Sequence, residues 1–243
     1  MMPGRQVLAI SRKDVESYYS KPPLITWGLL LPAVLMLSLY VKDPGTYLAI
    51  APGIIAMTLL FGNTSMAAIV VTFEKRAGTF ERLLLAPITY KTIILGKTLS
   101  AAAYGLATAL VLTGGLRFLV GLRLTQPQVF ALGLTLGSMC FSLLGLMAAV
   151  MVREVFEAMT LMNFFRFPLL FVSGVFMPLS QLPWWLQPLA LASPLTHTVE
   201  LLRLGITGTS SFPDALLPSL AMVVWLLVSW LATISLFRRR ASE

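Results

Sequence analysis

Six long apolar stretches dominate the chain, and short segments that hold most of its charged residues separate them. A helix needs roughly 20 apolar residues in a row to cross a hydrocarbon core about 30 Å thick. We therefore predict six transmembrane helices, in an all-α polytopic membrane protein that forms one domain over residues 1–243. The predicted spans are 24–41, 48–73, 92–116, 128–152, 159–178 and 217–237.

The polar segment between the second and third spans predicts a short helix on the membrane surface. Thr79 suits the cap position at its start, and Pro87 cannot continue the helix at its other end. Glu81 and Arg82 point away from the apolar stripe of this helix. That stripe consists of Phe80, Leu83 and Leu84. Because the stripe would rest on the membrane domain, a force on this helix would tilt the two spans that it joins.

Two further segments predict helices that do not cross the bilayer. The amino-terminal residues 5–19 carry an apolar face opposite Arg12 and Lys13, which is typical of an interfacial helix. In the outer segment 173–208, four prolines leave pieces too short to span, so we predict two short re-entrant or surface helices there. The second of these would place a structural, hydrogen-bonded trio on one face: His197, Glu200 and Arg203.

The composition agrees with a membrane protein and indicates its orientation. Hydrophobic residues make up 57% of the chain and charged residues only 12%, against roughly 25% charged in an ordinary soluble domain. Most Lys and Arg residues fall in the termini, the 73–98 segment and the loop after the fourth span, which the positive-inside rule assigns to the cytoplasm. The net charge of +8 therefore reflects topology and contact with anionic lipids. Because the basic residues form no continuous groove, we expect no nucleic-acid partner.

Few residues offer catalytic, cofactor-binding or metal-binding chemistry. Gly96, Lys97 and Thr98 form the end of a phosphate-binding loop motif, but Lys91 occupies the position of its first glycine. We therefore interpret Lys97 as a juxtamembrane charge. A single histidine excludes the paired-histidine zinc motif of metalloproteases, and no Gly-x-Ser-x-Gly elbow occurs. We expect no catalytic site, no metal site and no cofactor in this chain.

The spans themselves lack the acidic groups of an ion-driven transporter. No Asp or Glu falls within the six predicted stretches, whereas proton- and ion-coupled carriers place carboxylates or histidine at membrane depth. Arg166 is the one charge that we assign to the interior of a span. It could contact an anionic substrate or a lipid headgroup, or it could snorkel or pair with a neighbouring helix. The sequence leaves both possibilities open.

Two segments resemble the type-2 permease family of ATP-binding-cassette exporters. The segment EKRAGTFERLLLAPITYKTIILGK (74–97) is similar to the cytoplasmic loop of that family, and SGVFMPLSQLPWWLQPLALASPLTHTVELLRLGITG (173–208) is similar to its outer region between the fifth and sixth spans. The resemblance implies a membrane subunit that dimerises, as a homodimer or related heterodimer, and moves an amphipathic, lipid-linked or drug-like substrate outward. It also implies that separate cytoplasmic ATPase subunits, which bind ATP and Mg, drive the transport.

By the same resemblance, the cytoplasmic loop would supply the contact with the ATPase. The residues that fall on it are Glu74, Arg76, Phe80, Glu81 and Arg82, and the tight loop between the fourth and fifth spans could add Arg153 and Glu154. The alternative is that these charges are only solvated at headgroup level, where a surface pair contributes at most roughly 1 kcal/mol.

The expected protein is a permease subunit of the prokaryotic cytoplasmic (inner) membrane, in contact with lipids and with both termini in the cytoplasm. An alternative from another class is a non-transporting membrane scaffold or a lipid-modifying membrane enzyme. The two differ in a simple observation. The permease hydrolyses no ATP alone and needs a separate ATPase, whereas an enzyme would turn over without a partner.

Overall fold

The regular secondary structure of the described residues is helical. The computed structural model describes residues 3–19, 30, 32–38, 47–208 and 212–241. A π-helical turn extends the first helix over Val15–Tyr19, and 3-10 turns occupy Leu179–Gln181 and Phe212–Ala215. The α-helices are α1 (Pro3–Asp14), α2 (Tyr47–Arg76), α3 (Thr79–Leu85), α4 (Tyr90–Val120), α5 (Pro127–Met151), α6 (Val155–Val172), α7 (Gln187–Ala192), α8 (Pro194–Thr207) and α9 (Leu216–Ala241).

Five of these helices are long and apolar enough to cross a membrane: α2, α4, α5, α6 and α9. They correspond to five of the six predicted spans. The other span, predicted at 24–41, falls largely outside the described residues, which include a helical segment at 32–38. The boundaries differ most in α6, which covers Val155–Val172 rather than 159–178. The chain turns at Gly174, whose φ of 75° is in the left-handed region, and so the helix ends before the predicted boundary.

Helix α2 is the centre of the bundle, because α4, α5, α6 and α8 all pack against it. Small residues on the neighbouring helices allow this close approach. A Cβ atom at Gly145 of α5 would lie only 2.5 Å from the carbonyl oxygen of Thr64. A Cβ atom at Gly105 of α4 would overlap the side chain of Asn63. Gly105 and Gly145 therefore serve packing within the chain.

The segment between α6 and α9 contains the two short helices α7 and α8, and polar contacts hold it together. His197 Nε2 lies 2.9 Å from the carbonyl oxygen of Leu191 in α7. Arg203 pairs with Glu200 at 3.5 Å and donates a hydrogen bond of 3.3 Å to the carbonyl oxygen of Gly174. These contacts join α8 to α7 and to the turn that follows α6, which agrees with a structural role for the trio.

Candidate functional site

Helix α3 begins at a sharp turn after α2. Gly78 is its N-cap residue, with a φ of 65° that glycine adopts without the steric penalty of a side chain. The prediction that Thr79 is the cap is wrong. Thr79 is the first helical residue, and its hydroxyl donates back to the carbonyl oxygen of Glu74 at 3.2 Å. The helix ends at Leu85 because Ala86 is extended before a proline.

The apolar side of α3 fastens it to the membrane domain. Phe80 is 5% exposed, and its ring centroid lies 5.9 Å from that of Phe237 in α9. Leu83 and Leu84 are partly buried against the same hydrophobic cluster. Glu81 and Arg82 are exposed. The stripe and the charged face predicted from the sequence are therefore both present in this helix.

Lys75, near the end of α2, fixes the turn between α5 and α6. Its Nζ donates to the carbonyl oxygens of Ala149 (2.6 Å), Val150 (3.2 Å) and Val152 (2.9 Å). The last carbonyls of a helix lack partners within that helix, and a cation near them is favourable. Lys75 thereby caps α5, and it also lies 5.9 Å from the centroid of the Phe80 ring. The start of α3 and the α5–α6 turn are thus held by one side chain.

The α5–α6 turn is itself fixed by a capping box. Glu154 is the N-cap residue of α6, and the side chain of Glu157 reaches back toward the turn. Glu157 Oε2 accepts hydrogen bonds from the backbone N–H groups of Arg153 (3.0 Å) and Glu154 (3.3 Å). These bonds satisfy donors that the start of a helix leaves free, so the turn has a defined geometry.

A cleft of about 400 Å³ lies between α3, the α5–α6 turn and the end of α9, and we call it the coupling cleft. Its lining residues are Lys75, Arg76, Phe80, Glu81, Leu84, Val150, Arg153, Glu154 and Phe237. Five of the seven residues predicted to contact the ATPase share this cleft. Arg82 is exposed on the same helix but does not line the cleft, and Glu74 lies elsewhere.

Glu74 belongs to a buried ion cluster rather than to the surface. Its carboxylate lies 2.6 Å from Lys97 Nζ and also pairs with Lys13. Lys97 pairs at 2.8 Å with Asp14 as well, and Ser100 Oγ donates to Asp14 at 3.0 Å. The side chains of Asp14, Glu74 and Lys97 are at most 2% exposed. Glu74 is therefore not placed to touch a docked partner directly.

The ion cluster joins α1 to both helices that flank α3. Asp14 is the last residue of α1, Glu74 stands near the end of α2, and Lys97 is in the first turns of α4. Gly96 permits the contact, because a Cβ atom there would lie 2.9 Å from the Cβ of Ile10. Lys97 is thus a buried, ion-paired side chain covered by α1, and its interpretation as a juxtamembrane charge stays a prediction. The Gly-Lys pair is used for helix packing.

Arg166 of α6 is buried against α2, with 2% of its surface exposed. Its Nε donates to Thr64 Oγ1 at 2.8 Å, and its Nη1 donates to Asn163 Oδ1 at 3.2 Å. The guanidinium carbon lies 5.0 Å from the centroid of the Phe61 ring. Its Nη2 is buried and has no hydrogen-bond partner among the described residues. Arg166 therefore does not snorkel to the surface, and its hydrogen bond to Thr64 pairs it with the neighbouring helix α2.

Comparison with known proteins assigns the family. A family model for the ABC-2 type transporter matches residues 5–207. The chain belongs to the ABC-2 type transporter family. The permease resemblance seen in the two sequence segments is therefore confirmed. The spans α2, α4, α5 and α6, the helix α3 and the segment up to Thr207 lie within the matched region, and α9 follows it.

Several ABC-2 relatives are similar to this chain. The inner membrane transport permease YadH of Escherichia coli K12 is 28% identical over 167 residues, which cover 68% of this chain and 64% of YadH. The probable multidrug ABC transporter permease YbhR of the same organism is 27% identical over 202 residues, covering 79% of this chain and 52% of YbhR. Nodulation protein J of Sinorhizobium fredii is 27% identical over 196 residues, covering 79% and 73% of the two chains. The chain thus matches less than two thirds of the length of YadH.

Sequence reasoning missed the partners that make the ion cluster of this ABC-2 protein. Asp14 follows Ile10 by one helical turn, so it stands on the buried face of α1. An acidic residue on an apolar face signals a buried partner, and this signal could have been read from the sequence. The identity of that partner could not, because Lys97 is separated from Asp14 by a long stretch of chain.

Proposed function

We propose that this ABC-2 protein is the permease subunit of an exporter whose separate ATPase subunits dock in the coupling cleft. The observation that carries the proposal is the convergence of α3 and the α5–α6 turn on one cleft. Besides Lys75, whose Nζ donates to three backbone carbonyls, the cleft is lined by the cations Arg76 and Arg153 and the anions Glu81 and Glu154. A partner with a complementary charge pattern would be oriented as it binds. Phe80 gives the cleft a buried apolar wall.

Force applied to α3 would reach the membrane domain through fixed contacts. Phe80 joins α3 to α9, and Lys75 joins the end of α2 to the end of α5. The ion cluster joins the flanking helices α2 and α4 through α1. Helices coupled in this way move together, because packed elements shift as units rather than deform continuously. The partner would bind ATP and Mg, and the helices of this chain would move and form the pathway for the substrate.

The proposed assembly is a dimer of permease subunits in the prokaryotic inner membrane, in contact with membrane lipids. Both termini of each subunit lie in the cytoplasm. The dimer exports an amphipathic, lipid-linked or drug-like substrate. The names of the relatives support this setting, since YadH is an inner membrane transport permease and YbhR a probable multidrug ABC transporter permease. A lipid-modifying enzyme or a passive scaffold is the competing function. Neither predicts that the cleft recruits an ATPase.

The test is a charge reversal in the cleft, Glu81→Lys, in the chain co-expressed with its candidate ATPase. Surface substitutions usually change the free energy of unfolding by no more than about 0.5 kcal/mol, so membrane insertion and elution as a single species should persist. Like charges brought together at an interface can cost several kcal/mol. We therefore expect less ATPase to co-purify, or ATP hydrolysis that no longer responds to the permease.

Glu16→Lys is the matched control, because Glu16 is also an exposed acid but stands on the turn after α1, outside the cleft. It should leave ATPase recruitment unchanged. If Glu81→Lys recruits and couples the ATPase like the unmodified chain, Glu81 is not part of the contact. Turnover of a lipid substrate by the chain without any partner would favour the enzyme instead.

A further inference from the structure

Among the described residues, the buried cation Arg166 has no carboxylate partner, whereas the other buried cation, Lys97, has two. Lys97 has two carboxylates within 2.8 Å. No described carboxylate forms an ion pair with Arg166, whose partners are the neutral oxygens of Thr64 and Asn163. A charged side chain inside a membrane-spanning bundle is unfavourable unless it is paired or faces a site of function. The described residues therefore leave the charge of this guanidinium uncompensated.

The unused part of the guanidinium defines what that anion should look like. Arginine has five N–H donors in a planar fork, and the contacts of Nε and Nη1 leave the buried Nη2 without a partner. A planar fork of this kind suits oxyanions such as phosphate, sulfate or carboxylate, which can accept two parallel hydrogen bonds. Thr64 fixes the orientation of the fork from one side, and Phe61 covers its face at 5.0 Å.

The surroundings of Arg166 are suited to a hydrocarbon chain attached to that anion. The neighbouring residues on α6 expose large aromatic rings: Phe164, Phe165, Phe167 and Phe171. Phe167 also packs edge-on against Phe61 of α2, with 6.1 Å between the ring centroids. An oxyanion held by Arg166 would therefore be flanked by the rings of Phe61 and Phe167 at the α2–α6 contact.

We propose that Arg166 binds the anionic headgroup of the transported molecule, so that the substrate class is an amphiphile with a phosphate-type or carboxylate head. This inference rests on the proposed export function and names its cargo. Because Arg166 is only 2% exposed, the headgroup reaches it when α6 separates from α2, and the state described here is closed around the site. Binding of the headgroup would then favour the open arrangement of the two helices.

Binding to the purified full-length chain tests the inference without any ATPase. The chain is kept in dodecyl maltoside micelles and titrated with dodecyl phosphate by calorimetry. The detergent is a neutral amphiphile with the same alkyl chain length, so it competes for any site that recognises only the alkyl chain. We expect saturable binding of dodecyl phosphate and at least tenfold weaker binding by Arg166→Gln. Arg166→Lys keeps the charge but loses the planar fork, so it should bind with intermediate affinity. Dodecyl trimethylammonium, which carries the opposite charge, should not bind at the site.

Arg117→Gln is the control for general electrostatic attraction, because Arg117 is exposed near the end of α4. It should bind dodecyl phosphate like the unmodified chain. An equal loss of affinity in Arg117→Gln and Arg166→Gln would overturn the inference, and so would the absence of saturable binding. Inorganic phosphate serves as a separate arm. Affinity for it equal to that for dodecyl phosphate would assign the site to a free anion and refute the amphiphile.

Folding of the variants is followed in the same samples by thermal unfolding. A ligand that binds the folded state raises the unfolding temperature, so dodecyl phosphate should raise it for the unmodified chain and not for Arg166→Gln. Without ligand, Arg166→Gln should unfold at a temperature no lower than the unmodified chain, because it removes a buried charge that lacks a counter-charge. A failure of ATPase recruitment in the cleft experiment would not affect these measurements.

Discussion

Replacing Lys97 by methionine should release α1 from the membrane domain. Lys97 is the shared cation of two buried carboxylates, at 2.8 Å from Asp14 and 2.6 Å from Glu74. Methionine keeps most of the length and apolar volume of the lysine stem but removes its charge. Among the contacts seen in the described residues, the substitution leaves Asp14 its hydrogen bond from the Ser100 hydroxyl and leaves Glu74 its ion pair with the partly exposed Lys13.

The magnitude follows from the burial of the two carboxylates. Removing one partner from a buried ion pair destabilises by about 3–5 kcal/mol, because the remaining charge is left without compensation in a medium of low polarity. The whole unfolding free energy of a domain is only about 5–15 kcal/mol. When α1 detaches, the uncompensated carboxylate of Asp14 leaves its buried site, and less structure is lost than in global unfolding. Local opening of α1 is therefore the expected response. At about 1.4 kcal/mol per factor of ten, the opening equilibrium should rise by about 100-fold or more.

Hydrogen–deuterium exchange on the full-length chain measures this opening segment by segment. We expect the backbone amides of α1 to exchange faster in Lys97→Met while those of α5 are unchanged. Lys13→Met is the matched control, because Lys13 pairs with Glu74 but leaves 47% of its side chain exposed, and such pairs contribute about 1 kcal/mol or less. Unchanged exchange of α1 in Lys97→Met would refute the reasoning. The triple variant in which Asp14→Asn and Glu74→Gln accompany Lys97→Met should recover part of the protection, because no buried charge then remains.

Three further predictions concern the bundle, the ion cluster and the topology. Gly105→Ala should destabilise the chain by about 1–3 kcal/mol in denaturant unfolding, because its Cβ would overlap a side chain of α2, whereas Gly114→Ala, with nothing within 4 Å, should be neutral or stabilising. Burial raises the pKa of Asp14 above its ordinary value of 3.8, against the opposing effect of Lys97. The folded chain then holds the proton of the Asp14 carboxyl more tightly than the unfolded chain does. The contribution of Asp14 to the free energy of unfolding should therefore be largest below pH 3.8 and should fall as the pH rises through the raised pKa. Thermal unfolding across pH should show this dependence in the unmodified chain and not in Asp14→Asn. A reporter fused after Glu243 should be cytoplasmic and one inserted near Ser210 should be outside, and identical sides would exclude the proposed topology.

Five of the six spans and the short helix α3 could be predicted because their signals are local. A run of apolar residues long enough to cross the bilayer specifies a spanning helix whatever its neighbours are. The stripe of α3 is equally local, since Phe80, Leu83 and Leu84 lie on one face at helical spacing. Its cap was misassigned because both Gly78 and Thr79 are good residues for that position, and only the backbone turn decides between them.

The ion cluster and the site of Arg166 could not be predicted, because each depends on which helices meet. Apolar runs specify that helices span the membrane but not which of them are neighbours. Three residues far apart in sequence, Asp14, Glu74 and Lys97, become one cluster only when α1 lies across the ends of α2 and α4. The sequence left Arg166 with two interpretations for the same reason. The structure shows that Arg166 pairs with the neighbouring helix α2 through the hydroxyl of Thr64, and that its Nη2 has no hydrogen-bond partner among the described residues, so contact of Arg166 with an anion stays a prediction.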